Sequence, residues 1–389
     1  MNPLGSPPAD TGRTLSRAAR ALATAAALWA GAPAMAGDTV AADARVTSTA
    51  RVLGGVAPSY APHAEIAKLA AWQKHQKTLA PRWQYLQRTR LSAIGKWRDA
   101  TIPADVDRCK ALLYPFGGPD FLNAYVMFPR CDTYVLFGLE PPGEVPALEA
   151  LDPKETEALL EEVRLALRDV LARNYFITKR MSEQLRTQHL NGALPLMLTA
   201  MGLLDLRVAA VEPVDLASLP GPHPSGKVAD ARRGKGVKVT FFQPPAGKPQ
   251  TLYYFSLNVT DGALRANPEF LPFLKHFAPS ITFIKSAAYL LRGTEFSRIR
   301  QTLLDTSEVV IQDDTGIPYG VLVERKFEVS LYGRYAPPIK EFPYAYQEDL
   351  AAAYAQAGGK VAELPFSFGY HWKVGSSGLI IARSPAKRS

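Results

Sequence analysis

The chain has 389 residues, with 45 Lys and Arg against 36 Asp and Glu and a formal net charge of +9. Hydrophobic residues make up 47% of it, enough for the core of one large or two modest domains and too many for an intrinsically disordered chain. The positive balance suits anionic partners such as envelope polymers or lipid headgroups, or serves solubility alone.

The first elements read as an export signal. Arg13, Arg17 and Arg20 form a basic start, Ala21 to Trp29 is a short apolar run, and Ala34-Met35-Ala36 offers small residues for signal peptidase. The run falls short of the roughly 20 residues of a membrane-spanning helix. Residues 1–36 are therefore expected to be a signal peptide cleaved near Ala36, leaving a periplasmic or secreted protein. That segment carries three Arg and one Asp, so its loss leaves a charge of +7. It contains no cysteine to receive a lipid. The stretch from Gly192 to Val211 is the next most apolar, but Pro195, Asp205 and Arg207 interrupt it. It reads as a buried helix and strand, so the mature protein is expected to have no transmembrane span.

Residues 37–60 lack helical period and are expected to form a flexible leader. From 61 to 101 the spacing of Trp83, Leu86, Ile94 and Trp97 predicts a helical arm, broken in two by Pro81. An α/β body, of one domain or two closely packed subdomains, should occupy 102–384. It opens with a strand at 111–116, the turn Gly117-Gly118-Pro119-Asp120, a helix at 121–128 and a strand at 133–139 that ends at Glu140. This is a βαβ unit. Asp152 and Pro153 then start a long helical region reaching about Thr187. A helix at 195–204, a strand at 206–211 and a hairpin pairing 239–242 with 251–259 come next. Between them, 220–238 reads as a solvated basic loop with Arg232 and Arg233. It has no aromatic residue to stack a base, so no nucleic-acid partner is expected. Helices are predicted over 282–291, 296–304 and 350–356, and strands over 308–312, 327–332 and 378–382. The pattern predicts an α/β fold with a Rossmann-like βαβ start, a mixed sheet flanked by helices and a helical N-terminal arm.

Cys109 and Cys131 both precede predicted strands, and in an exported protein this pair is a possible disulfide. The alternative is two inert buried thiols.

Three places could carry chemistry. In nucleotide and S-adenosylmethionine sites a glycine turn follows the first strand, and an acid at the tip of the second takes a ribose hydroxyl. Gly117, Gly118 and Glu140 would fill those ligand-binding roles, but the G-x-G-x-x-G spacing is absent and Pro119 removes an N–H, so no cofactor is expected. The second place is Asp313-Asp314 at the end of a predicted strand, with Tyr319 beyond a glycine turn. With Asp120 these carboxylates could act as acid and base, or serve as ordinary turn and capping residues. The third is Lys285-Ser286, which lies on a predicted helix where adjacent side chains diverge. His63, His75, His189, His223, His276 and His371 show no metal-binding spacing, so no metal is expected. Neither G-x-S-x-G nor a Walker A sequence occurs.

Several segments together resemble a family of uncharacterised exported bacterial proteins. They are Tyr114-Pro115-Phe116-Gly117-Gly118-Pro119-Asp120-Phe121-Leu122, Thr133-Tyr134-Val135-Leu136-Phe137-Gly138-Leu139-Glu140-Pro141, and the later runs from Phe283 to Leu290, Gln312 to Tyr319 and Tyr332 to Tyr335. The resemblance spans most of 80–384 and implies domain limits, with no activity attached. The leading functional expectation is an exported, periplasmic binding or envelope-associated protein without evident catalysis, whose partner is a small molecule or an envelope component. The alternative is a carboxylate-dependent enzyme acting on an envelope or extracellular substrate through Asp120, Asp313, Asp314 and Tyr319.

Overall fold

The computed structural model describes residues 40–176, 183–219, 234–245 and 247–385. Its strands are β1 (Ala111–Pro115), β2 (Thr133–Gly138), β3 (Arg207–Asp215), β4 (Lys235–Phe242), β5 (Gln250–Ser256), β6 (Ser280–Ile284), β7 (Ser307–Gln312), β8 (Glu328–Gly333) and β9 (Gly378–Arg383). They form one nine-stranded mixed sheet in the order β3-β4-β5-β2-β1-β6-β7-β9-β8. The middle five strands, β5-β2-β1-β6-β7, are parallel. Antiparallel strands close both ends. Every residue of β1 and β6 is buried, as expected for parallel strands covered on both faces.

Alternate residues of the strands face two separate cores. On one face Leu112, Tyr114, Tyr134, Leu136, Ile281 and Phe283 pack in a core with the N-terminal helices. On the other, Leu113, Val135, Phe137 and Val310 pack with Phe270, Ile299, Leu303 and Leu350 from the C-terminal helices. The helices of the first face are α1 (Ala44–Leu53), α2 (Ala70–Leu86), α3 (Ser92–Thr101), α4 (Pro103–Asp107), α5 (Phe121–Met127), α6 (Pro153–Arg173) and α7 (Leu194–Leu203). Parallel β1 and β2 are linked through α5 on this face, while β6 and β7 are linked through the helix Ser297–Thr306 on the opposite one. The winding therefore reverses between β1 and β6. Their carboxyl ends diverge there and leave a crevice, the usual ligand position in open parallel sheets.

Five sequence-based expectations are corrected. Part of the flexible leader is helix α1, capped by Asp43, whose side chain accepts from the Val46 amide. Val46, Ala50, Val52 and Leu53 are buried. The helix packs closely on α7 because Gly202 has no Cβ to meet the Ala50 carbonyl, which a built Cβ would approach to 2.1 Å. Pro81 does not split the arm and lies inside α2. The hydrogen bond it forfeits is to the carbonyl of exposed Lys77, where water can replace it. Helix α6 stops at Arg173 instead of running on to Thr187, because Asn174 adopts a left-handed conformation (φ 71°). The predicted helix at 282–291 is strand β6 followed by an irregular loop. The run Ile281-Thr282-Phe283-Ile284 is β-branched and aromatic, and its burial decides for strand. Lys235 and Lys238, assigned to the basic loop, lie in β4, where Lys238 pairs with Glu212 at 2.9 Å. Arg232 and Arg233 fall outside the described residues, as does the expected signal peptide.

Cys109 and Cys131 are joined in a disulfide with their Cα atoms 4.5 Å apart. No helix among the described residues is long and apolar enough to cross a membrane.

Candidate functional site

The crevice between β1, β2 and β6 contains a cavity of about 90 Å³, lined by Tyr114, Phe116, Gly117, Asp120, Glu140, Lys285 and Ser286 among others. Its core is an ion pair. Lys285 follows the last residue of β6, and its Nζ lies 2.8 Å from Asp120 Oδ2, with both side chains almost wholly buried. Asp120 N-caps α5 and also accepts from Tyr114 OH (2.9 Å) and Asn123 Nδ2 (2.7 Å). Lys285 additionally donates to the Asn174 carbonyl. Burial holds Lys285 below its usual pKa, opposed by Asp120. Burial, reinforced by Asp120, pushes the Tyr114 hydroxyl well above its usual value. Arg90, from the helical arm, adds a second, half-buried cation, whose pKa burial lowers to about 10.

The next strand end supplies Asp313. Its carboxylate accepts from the Ser286 amide (2.9 Å) and from the Thr315 amide and hydroxyl (3.0 and 2.5 Å). The loop after β6 is thus wrapped around this buried acid, whose pKa burial raises. Gly369 is required beside it, since a Cβ there would sit 1.9 Å from Asp313 Oδ2 and its φ is 69°. Asp314 turns elsewhere and accepts from Tyr289 OH at 2.5 Å. Burial, then the neighbouring Asp313, pushes its carboxyl up to about 7.

Backbone strain gathers at the same place. Phe116, Ser286 and Ala288, which line the cavity, have φ of 58°, 55° and 51°, and the adjacent Tyr289 and Asn174 are also left-handed. Each such non-glycine residue costs on the order of 1–3 kcal/mol and concentrates at ligand sites when the surroundings enforce it. Two buried hydrogen-bonding atoms here have no partner, Ser286 Oγ and Asn174 Oδ1. Tyr370 holds the loop by donating to the Ser286 carbonyl at 3.0 Å.

Of the residues singled out from sequence, the structure brings Gly117, Asp120 and Glu140 to one cavity. Gly118, with φ 52°, packs against Gly138 beside it. Glu140 is buried, and both its carbonyl and its carboxylate accept from Tyr254 OH, at 2.9 and 3.3 Å. Asp313 meets the cavity through the Ser286 amide, whereas Asp314 and Tyr319 do not line it. Tyr319 begins a short helix, packs on the second core and donates its amide to Gln347 at 2.9 Å. Sequence reading undervalued Lys285 and Ser286, because a helix was assigned where β6 ends, and missed Tyr114, Asn174 and Gly369. The alternation that puts Tyr114 on the same face as Phe283 was the available signal for the first of these.

Among the described residues, no group of three or more His, Cys, Asp or Glu side chains is arranged to hold a metal ion. A larger cleft of about 880 Å³ lies at the opposite edge, between the arm and the β4–β5 turn. Its charged residues Arg130 and Lys248 are already paired with Asp107 and Asp132. Comparison with known proteins gives no match to any family model, curated protein or solved structure.

Proposed function

We propose that the protein is an exported small-molecule-binding protein whose ligand occupies the crevice between the carboxyl ends of β1, β2 and β6. The observation that carries this reading is the buried, unpartnered Ser286 Oγ on a strained loop, at the cavity where the sheet reverses. An unsatisfied buried hydroxyl costs about 1–3 kcal/mol, a cost that a ligand accepting or donating there removes. Binding is favoured over carboxylate catalysis because Asp120, Asp313 and Asp314 already accept hydrogen bonds from the protein itself. The motifs resembling a family of exported bacterial proteins and the Cys109–Cys131 disulfide support the export reading.

Native mass spectra of the protein isolated from its own envelope fraction, against denatured controls, test the proposal. A stoichiometric small mass lost on denaturation, and absent from Ser286→Ala, is expected. A ligand retained fully by Ser286→Ala would remove the crevice from consideration. Attachment of residues 1–36 to a reporter active only after export tests the localisation.

Strand order favours a second reading. With the β3–β4 edge set aside, the strands run third, second, first, fourth, fifth, seventh, sixth, with the seventh reversed. The order opens as the 3-2-1-4-5 run of dinucleotide-binding sheets does, and this analogy, of architecture alone, supports a nucleotide or S-adenosylmethionine as the ligand. The Gly117-Gly118 turn and Glu140 then occupy the cofactor positions, although a cavity of about 90 Å³ must open to admit so large a ligand. A rise in melting temperature with added S-adenosylmethionine, abolished in Glu140→Ala, would select this reading.

A further inference from the structure

A second concavity, of about 400 Å³, opens where the edge strand β8 ends, and shares no lining residue with the crevice above. Its size falls within the roughly 300–1,000 Å³ of small-molecule sites. Three tyrosines shape it. Tyr335 lies 5.4 Å from Tyr346 and 6.2 Å from Tyr354 between ring centres, the latter pair nearly parallel at 20°. Tyr354 is fixed by donating to the Tyr332 carbonyl at 3.0 Å. Tyr335 OH accepts from the Gln347 amide at 2.7 Å and keeps its own proton to donate. Tyr346 is 44% exposed.

Arg334 is the only charged residue in the lining, and it makes no ion pair among the described residues. The cleft therefore calls for a ligand that places one anionic group at Arg334, and a guanidinium fork matches a carboxylate in bidentate fashion. The tyrosine faces offer rigid apolar contact at low entropic cost. The helix Glu348–Ala357 ends in the lining; the Gly358 amide takes the Tyr354 carbonyl, and the other carbonyls of the last turn, which have no partner within the helix, are acceptors a ligand hydroxyl can use. A ring with a C–H face, several hydroxyls and one carboxylate satisfies all three features. We propose that this cleft binds an acidic saccharide, its sugar face on Tyr335 and Tyr346 and its carboxylate on Arg334.

Titration calorimetry of the full, disulfide-bonded protein with a galacturonic acid trimer tests this, with the fully methyl-esterified trimer as the neutral control. Saturable binding of the acid is expected, with the ester at least about tenfold weaker. Arg334→Gln should lower the acid's affinity to that of the ester, and Tyr346→Ala should weaken both. Both residues are exposed, and unchanged melting curves will establish that the variants fold. No saturable binding, equal affinity for acid and ester, or full affinity in Arg334→Gln would each overturn the proposal. Ser286→Ala, in the other cavity, should leave trimer binding intact. A loss there would assign the trimer to the crevice and also overturn it.

Discussion

Lys285 and Asp120 come from segments 165 residues apart and meet at 2.8 Å, with side chains 1% and 4% exposed. The contact joins the end of β6 to the N-cap of α5, so one pair fixes both walls of the crevice. Removing a single partner strands a charge in the interior, at a cost of about 3–5 kcal/mol. Lys285→Met and Asp120→Asn should each lose stability of that order in urea unfolding, and the double variant should recover much of it. Single variants within about 1 kcal/mol of the wild type would mean that the pair is solvated.

Ser286→Ala should behave in the opposite way. Its buried Oγ has no partner, so deletion should leave the ligand-free protein as stable as before, within about 0.5 kcal/mol, or slightly more so. Thermal melts read this directly. A clear loss of stability would reveal a hydrogen bond to the hydroxyl and weaken the case for a ligand there.

Asp314 and His75 have opposing pH effects. Asp314 is raised in the fold to about 7, chiefly by burial. Its contribution is fully present below about pH 4 and is lost as pH rises to about 7. His75 is lowered by burial to about 4, so its contribution is present above about pH 6.5 and lost as pH falls toward 4. The two offset one another in the wild type. Asp314→Asn should therefore show stability that rises between pH 4 and 7 more steeply than the wild type does. Urea midpoints at several pH values would measure the difference, and parallel curves would refute the assignment.

The disulfide closes a loop with 22 residues of sequence separation. Such a closure stabilises by about 2–4 kcal/mol, mainly by restricting the unfolded chain. A Cys109→Ala/Cys131→Ala variant should unfold at correspondingly lower urea without losing the native circular dichroism spectrum. Thiol titration of the denatured wild type should find no free thiol, and two free thiols would exclude the bond.

Short, locally determined elements were legible in the sequence. Strands β1, β2, β7, β8 and β9, the hairpin of β4 and β5, and α5 lie within a few residues of their predicted ranges, because alternation, turn glycines and caps act over a few neighbours. The Cys109–Cys131 bond was legible only as one of two alternatives, and the 4.5 Å approach of the two Cα atoms decides it. The failures share another origin. A buried apolar run such as Ser280–Ile284 has no period to separate strand from helix, and only its neighbours β1 and β7 decide. Helix α1 has its own N-cap at Asp43, but its buried side, Val46, Ala50, Val52 and Leu53, is decided by packing, including the close approach of α7 at Gly202.

The site divides along the same line. The sequence by itself determined the α/β class, the glycine turn with Asp120 at its end, and the acid Glu140 two residues past β2, since these follow from local chain geometry. Only the tertiary structure decided that Lys285 would meet Asp120, that Asp313 would be enclosed by the Ser286 loop and Gly369, and that Tyr319 would stay outside. Strand order sets those meetings, and strand order is fixed by which apolar faces bury best against each other across hundreds of residues.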